Sequence, residues 1–183
     1  GRRLITQEKK EEAKEKFFKA IEHAEKALDC RRKVGNLRGY AQNSRNLAWP
    51  YSELMKLASN EDERQKYFKK ARDGYKAGIS YWDRFRPAPP TESVLFRNLL
   101  AKLYIDFCSI TQDEKGKEKW AQEAINLYEV IVRDPKRRQK AKEDPRQPTA
   151  EQNLKDLIKI FKEIGLNMKA IEADKMLKKL KES

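Results

Sequence analysis

Residues 24–49 read AEKALDCRRKVGNLRGYAQNSRNLAW and join the end of one helical pattern to the start of the next. Ala24, Ala27 and Leu28 recur at three- and four-residue steps, which is typical of the apolar face of an amphipathic helix. Gly35 and Asn36 then end that helix, and a second apolar face begins at once. This stretch therefore predicts two helices joined by a short turn.

The same spacing continues to both ends of the chain and predicts seven helices. We expect them over residues 8–34, 37–58, 59–85, 91–110, 117–134, 149–164 and 166–181. Pro50 lies inside the second of these, where proline removes a backbone donor, so we expect a kink or a short break near residues 48–49. Residues 91–110 are apolar on more than one face, which predicts a helix covered on two sides.

Composition excludes several classes of protein. Of 183 residues, 42 are basic and 29 are acidic, so the net charge is +13, and the 39% of charged residues predicts a highly solvated surface. No run approaches the roughly 20 apolar residues of a membrane span, so we expect no membrane partner. Seven glycines and seven prolines are few, which favours an all-α fold over an all-β one.

The rare reactive side chains do not assemble into a catalytic or metal site. Cys30 and Cys108 stand far apart without a CxxC pair, and we interpret both as reduced thiols, in or near the core, of an intracellular, cytoplasmic protein. His23 is the one histidine, and one histidine does not make a His-based metal site. No glycine-rich phosphate loop or nucleophile with a histidine partner is present. We therefore expect no enzymatic activity, no cofactor and no metal.

The chain contains an internal repeat. Shifting it by 53 residues superposes seven identical residues at matching helical positions. These pairs are Leu47 and Leu100, Ala48 and Ala101, Tyr51 and Tyr104, Glu61 and Glu114, Lys66 and Lys119, Ala71 and Ala124, and Tyr75 and Tyr128. The last two helices repeat the theme in a tighter form. Each repeat is predicted to be a helical hairpin that stacks on its neighbour.

This pattern resembles the tetratricopeptide repeat, and residues 20–51 resemble the longer-looped variety of bacterial regulators, peptide sensors and nucleotide-binding signalling proteins. The matching residues are Ala20, Ala24, Ala27, Leu28, Gly35, Arg38, Gly39, Ala41, Asn46, Leu47, Ala48 and Tyr51. The resemblance implies one domain over residues 1–183, a right-handed α-solenoid of about three and a half hairpins. Because the chain opens on what matches a second helix, we expect it to be the C-terminal part of a longer protein, closed by a polar helix.

In this family the first helices of the hairpins line a concave, peptide-binding groove. The residues of this chain that fall on that face are Gln42, Arg45, Asn46, Trp49, Asn98, Lys102, Asp106, Lys155, Lys159 and Lys162. Because they are mostly basic, the resemblance implies an acidic peptide or protein partner. Trp49 is expected to be an interface anchor or a core residue between repeats. The alternative is that the lysines are an ordinary solvated surface.

Two other functions remain open. Residues 133–146 contain a cluster of cations that suits a nucleic-acid backbone, namely Arg133, Lys136, Arg137, Arg138, Lys140, Lys142 and Arg146. The segment lacks aromatic residues for base stacking, so its charge also fits a solvated loop. The third hypothesis is self-association through an exposed apolar side of the first helix, formed by Phe17, Phe18 and Ile21.

Overall fold

The computed structural model describes residues 2–84, 90–137, 139 and 150–182, and it is all-α over these ranges. Seven helices of at least 14 residues occur in the described ranges. They are α1 (Arg2–Lys33), α2 (Leu37–Leu57), α3 (Glu61–Arg84), α4 (Pro90–Ile110), α5 (Glu114–Arg133), α6 (Ala150–Glu163) and α7 (Asn167–Lys181). Residues 135–137 add a short helical stretch after α5. The predicted all-α class and the seven predicted helices are confirmed.

The chain divides into two compact units. Unit 1 comprises residues 1–81 and unit 2 comprises residues 82–183. The division falls within α3, whose last residues, 82–84, belong to unit 2. Each unit is therefore described separately.

In unit 1, the turn between α1 and α2 has the geometry that its sequence predicts. Gly35 adopts a left-handed conformation with φ +65°, and the Asn36 amide donates to the Arg31 carbonyl at 2.9 Å. The Asn36 side chain in turn accepts a hydrogen bond from the Gly39 amide at 2.7 Å and caps α2. Helix α1 therefore ends and α2 begins within three residues, and the two helices pack against each other.

Helix α2 runs unbroken through Pro50, so the predicted break does not occur. Pro50 itself is buried, and the Ser52 hydroxyl donates to the Trp49 carbonyl at 2.7 Å. On its other side α2 approaches α3 closely, because a Cβ added at Gly74 would lie 2.9 Å from Ala48 Cβ. Packing of α2 against both neighbouring helices therefore outweighs the donor that proline removes.

In unit 2, the second hairpin packs on the first. Helices α4 and α5 pair, α6 and α7 pair, and α6 also contacts both α4 and α5 while α7 contacts α5. The Asn153 amide of α6 donates to the Tyr128 hydroxyl of α5 at 2.6 Å inside this core. Helix α4 is buried at almost every position from Ser93 to Cys108, which confirms that it is covered on two sides.

The start of α4 is held by a buried charge. The Arg97 guanidinium donates to both carboxylate oxygens of Asp83, at 2.9 and 2.7 Å, and also to the Ser93 hydroxyl. Arg97 is buried and Asp83 is partly exposed. This bidentate pair joins the end of α3 to the first turns of α4.

The 53-residue repeat is visible in the packing of both units. Tyr51 stacks on Tyr67 with ring centroids 6.3 Å apart, and the residues 53 positions later, Tyr104 and Trp120, stack at 5.3 Å. The small residues Ala71 and Ala124 are both completely buried at the matching positions. The repeat is therefore structural as well as a similarity of sequence.

The two cysteines differ in their exposure to solvent. Both are free thiols, and Cys108 is buried, as expected. Cys30 is exposed, so the expectation that it lies in or near the core is wrong. It stands on the solvent side of the last turns of α1, where Arg31, Arg32 and Lys33 are exposed as well.

Candidate functional site

The predicted groove residues of unit 1 lie on one side of α2. Gln42, Arg45 and Trp49 follow one another at helical spacing, and Asn46 flanks them. Gln42 and Asn46 are exposed, while Arg45 is partly exposed. We call this surface, together with the exposed Arg38 one turn earlier, the α2 face.

Trp49 is a surface residue, not a core residue. Its side chain is 50% exposed, although an indole of this size is usually well buried. One edge packs against the Phe17 ring of α1, with centroids 5.5 Å apart and the planes at 80°. The sequence left two interpretations of Trp49 open: its exposure does not fit a buried core residue, although its contact with Phe17 does join α1 to α2.

An aromatic cluster extends from Trp49 across unit 1. Phe18 of α1 is 48% exposed and meets the edge of Tyr67 of α3 at 6.5 Å. Partial burial raises the pKa of the Tyr51 hydroxyl, and the nearby Glu25 carboxylate adds to this effect. The pKa of the Tyr67 hydroxyl is also raised, mainly by burial and then by the charge of Glu63. Both tyrosines are thus neutral hydrogen-bonding groups at ordinary pH.

The apolar side of α1 is less exposed than the self-association hypothesis expects. Of the three residues expected to form an exposed apolar side of α1, Ile21 is 6% exposed and Phe17 is partly covered by Trp49. Only Phe18 is well exposed, because α1 turns the rest of its apolar side toward α2 and α3. Ile21 is therefore not part of an exposed apolar side of α1, and the prediction is wrong for this residue.

Asn98 does not belong to an open surface. It was expected to line the groove, but it is 3% exposed, because α4 is covered by α5 and α6. Its buried Oδ1 has no hydrogen-bond partner in the described parts of the chain. The expectation that Asn98 lines an open groove is corrected.

Three other predicted residues of unit 2 meet in one cavity. Lys102, Asp106 and Lys159 line a cleft of about 470 Å³ between α4, the first turn of α5, and α6. Ile105, Ile160 and Ile164 supply its apolar lining, and we call it the isoleucine cleft. The remaining lining residues are Cys108, Ser109, Glu114, Lys117, Asp156 and Glu163.

The isoleucine cleft is not predominantly basic, in contrast to what the resemblance implied. It contains three lysines and four carboxylates. Lys102 and Asp106 form an ion pair at 2.6 Å, with side chains 33% and 16% exposed. Sequence reasoning missed the carboxylates of α5 and α6, because only the fold brings the start of α5 beside α6.

The cleft also covers the buried thiol. Cys108 donates a hydrogen bond to the Lys117 carbonyl at 3.4 Å, and burial raises the pKa of this thiol to about 12. The thiolate form is therefore negligible at neutral pH. Burial likewise raises the pKa of Tyr128, and the charge of Asp156 adds to that effect.

The other two predicted lysines of α6 lie apart from this cleft. Lys155 pairs with Glu151 at 2.8 Å. Lys162 borders a smaller cavity of about 340 Å³ on the α6–α7 hairpin, next to Ile158 and Ile171. The structure thus groups Lys102, Asp106 and Lys159 in one cavity and places Lys155 and Lys162 elsewhere on α6.

The candidate nucleic-acid segment is described only in part. Arg133 pairs with Glu129 at 3.4 Å, Arg137 pairs with Asp134 at 3.5 Å, and Lys136 is exposed. Arg138, Lys140, Lys142 and Arg146 lie outside the described residues. Two of the three described cations therefore have a carboxylate partner.

Comparison with known proteins adds no relative. No family model matches the chain, and no curated protein is significantly similar to it in sequence. None of the described helices is both long enough and apolar enough to cross a membrane. Within the described residues, no three His, Cys, Asp or Glu side chains converge as a metal site.

Proposed function

We propose that this protein is a non-catalytic scaffold of tetratricopeptide-like hairpins that binds an acidic protein or peptide segment through the α2 face of unit 1. In cells it would be a sensor or adaptor arm of a cytoplasmic signalling protein. The fold supports a stack of hairpins, because α6 packs on both helices of the preceding hairpin and the 53-residue repeat recurs in the core.

The observation that carries the proposal is the half-exposed Trp49 on the same side of α2 as two arginines, with Arg45 one turn away and Arg38 three turns away. Trp49 is 50% exposed, and Arg38 and Arg45 stand on the same side of α2. Tryptophan and arginine are the residues most enriched at the energetic centres of protein interfaces. The exposed amides of Gln42 and Asn46 add donors and acceptors for a peptide backbone.

The pairing of charges in unit 1 explains the preference for an acidic partner. Five of the seven lysines of α1 pair with a carboxylate one turn earlier, as in Lys16 with Glu12 and Lys26 with Glu22, both at 2.6 Å. Unlike those five lysines, Arg38 and Arg45 form no ion pair among the described residues. Unit 1 also holds 20 basic and 12 acidic residues, so its field attracts anions.

A binding experiment with defined probes tests this function. A fluorescein-labelled peptide of sequence Glu-Asp-Leu-Glu-Glu-Trp-Asp-Glu is titrated with the full chain at low and at physiological salt, and anisotropy is recorded. We expect Trp49→Ala and Arg45→Glu each to weaken binding by about tenfold, which corresponds to a loss of ~1.4 kcal/mol of binding free energy. The matched control is Lys66→Glu, the same charge reversal at an exposed position of α3.

The alternatives predict different results. Tighter binding of a 20-nucleotide single strand than of the acidic peptide, with loss of that binding after reversal of Arg137, Arg138 and Lys140, would favour the nucleic-acid hypothesis. A dimer in sedimentation that dissociates on Phe18→Glu would favour self-association. Equal losses from Lys66→Glu and Arg45→Glu would show that only net charge matters, and the proposed site would be wrong.

A further inference from the structure

The isoleucine cleft of unit 2 has the composition of a binding site for a different ligand. Ile105 and Ile160 are buried, and Ile164 is partly exposed. The volume of the cleft, about 470 Å³, is within the range of small-ligand sites. A lining of three isoleucines and seven charged side chains suits a ligand with both apolar and charged parts.

The lysines of the cleft are already neutralised. Each of them pairs with a carboxylate on its own helix, one turn away. These pairs are Lys102 with Asp106 at 2.6 Å, Lys117 with Glu114 at 3.1 Å, and Lys159 with Glu163 at 3.7 Å. Because a carboxylate accompanies each lysine, the lysines add no net positive charge to the cleft, so the cleft does not favour an anion.

Asp156 is the carboxylate that remains. It lines the cleft from α6, and among the described residues it has no cationic partner. Its Oδ1 accepts one hydrogen bond, from the Gln152 amide at 2.9 Å. With the three pairs neutral, the cleft carries one net negative charge in a protein whose net charge is +13.

We infer that the isoleucine cleft binds a lysine or arginine side chain of a peptide, with the cation at Asp156 and a neighbouring apolar side chain on the three isoleucines. A long basic side chain suits the site, because its methylene groups cover apolar surface while its charged end reaches a carboxylate. This inference goes beyond the proposed function, since it concerns unit 2 and a ligand of opposite charge.

The methyl groups of the three isoleucines that line the cleft report directly on peptide binding there. The full chain is labelled with ¹³C at the isoleucine δ1 methyl groups and titrated with the peptide acetyl-Gly-Leu-Lys-Ile-Lys-Gly-amide. We expect the methyl signals of Ile105, Ile160 and Ile164 to shift, while those of Ile21 and Ile79 in unit 1 do not. The same peptide with glutamate in place of both lysines is expected to cause no shift.

Two variants test the role of charge. Asp156→Asn is expected to weaken binding about fivefold, as for loss of one charge-assisted contact at a partly exposed site. Asp174→Asn is the matched control, because Asp174 lies on α7 outside the cleft, where it pairs with Lys178. Ser109→Lys, at an exposed position of the cleft wall, supplies a resident cation and is expected to abolish binding.

Several results would overturn the inference. They are an absence of methyl shifts at millimolar lysine peptide, equal shifts with the glutamate peptide, or equal effects of Asp156→Asn and Asp174→Asn. Melting curves from circular dichroism establish that each variant is folded. The α2 face plays no part in this experiment, so either proposal can fail while the other holds.

Discussion

The two units show one repeat in two environments. Tyr51 and Tyr104 are 53 residues apart and make the same stacking contact, yet Tyr51 is partly exposed and Tyr104 is completely buried. In unit 2 a second hairpin packs on α4 and α5. Burial at a repeat position is thus decided by what packs on the hairpin, and not by the residue that occupies it.

The candidate sites differ for the same reason. Position 49 of unit 1 is an exposed tryptophan, and its equivalent in unit 2 is Lys102, which pairs with Asp106 in a cleft. In unit 1, helix α2 therefore presents a surface with a tryptophan and two arginines. In unit 2, the equivalent helix α4 lines a cavity of isoleucines and paired charges.

The largest expected contrast between the units is in thiol reactivity. Cys30 is exposed, whereas Cys108 is buried with its pKa raised to about 12. At pH 8 we expect one thiol per native chain to react with a disulfide reagent, and the second to react at least about a thousandfold more slowly, through unfolding. Release of two thiols at similar rates would contradict the burial of Cys108. Cys30→Ser is the control that isolates the slow site.

Truncation of the repeated leucine should measure the difference in burial. Leu100 is 1% exposed, and its equivalent Leu47 is partly exposed. Leu100→Ala is expected to lower the free energy of unfolding by about 3 kcal/mol, and Leu47→Ala by about 1 kcal/mol, because less surface is removed from contact. Urea denaturation followed by circular dichroism gives both values. Equal losses would mean that the two positions are equally packed.

Replacing Gly74 with leucine should disrupt the close packing of α2 against α3 in unit 1. Gly74 is equivalent to Leu127 of unit 2, and a Cβ at position 74 would lie 2.9 Å from Ala48 and 3.1 Å from the Ser44 carbonyl. Gly74→Leu is therefore expected to destabilise the fold by about 2 kcal/mol, since α2 and α3 must separate. Ala77→Leu, at an exposed position of α3, is the control and should be nearly neutral. Thermal denaturation of both variants tests the contact.

The smallest expected effect concerns alkaline pH. The Cys108 thiol has a pKa of about 12 in the fold and about 9 when unfolded, so between these values only the unfolded chain releases the proton. Stability is therefore unaffected below pH 9 and falls above it, by about 1.4 kcal/mol at pH 10. Denaturation at pH 8 and pH 10 tests this, and Cys108→Ala should remove this part of the loss. A wild-type stability that is equal at both pH values would disprove it.

Local features of the fold were predictable because they depend on neighbours in the chain. Helix periodicity placed all seven helices to within a few residues, except at the N-terminus of α1, which extends to Arg2. The Gly35 and Asn36 turn followed from the conformations these residues adopt. A kink or a short break was expected at Pro50, and the break does not occur, because α2 packs against α1 and approaches α3 closely, which periodicity does not reveal.

The candidate sites were predictable only in part. Gln42, Arg45 and Trp49 lie on one side of α2, as their spacing predicts, because residues three or four apart share a helix face; that they line a groove stays a prediction. Asn98 obeys the same spacing but is buried, and Asp156 and Glu114 were missed although they complete the cleft. These errors share one cause, which is that burial and proximity across helices depend on residues far away in the chain.

Helices, turns, the 53-residue repeat and the net charge of +13 follow from the order of residues alone, because each depends on short-range spacing or on a sum. The pairing of those charges and the exposure of each repeat position depend on how hairpins pack. Packing left Trp49 half exposed on the same side of α2 as two arginines in unit 1, and in unit 2 it placed Asp156, which has no cationic partner among the described residues, in a cleft with three isoleucines. The excess of positive charge predicted an acidic partner, whereas the two proposed sites, which depend on packing, would bind ligands of opposite charge.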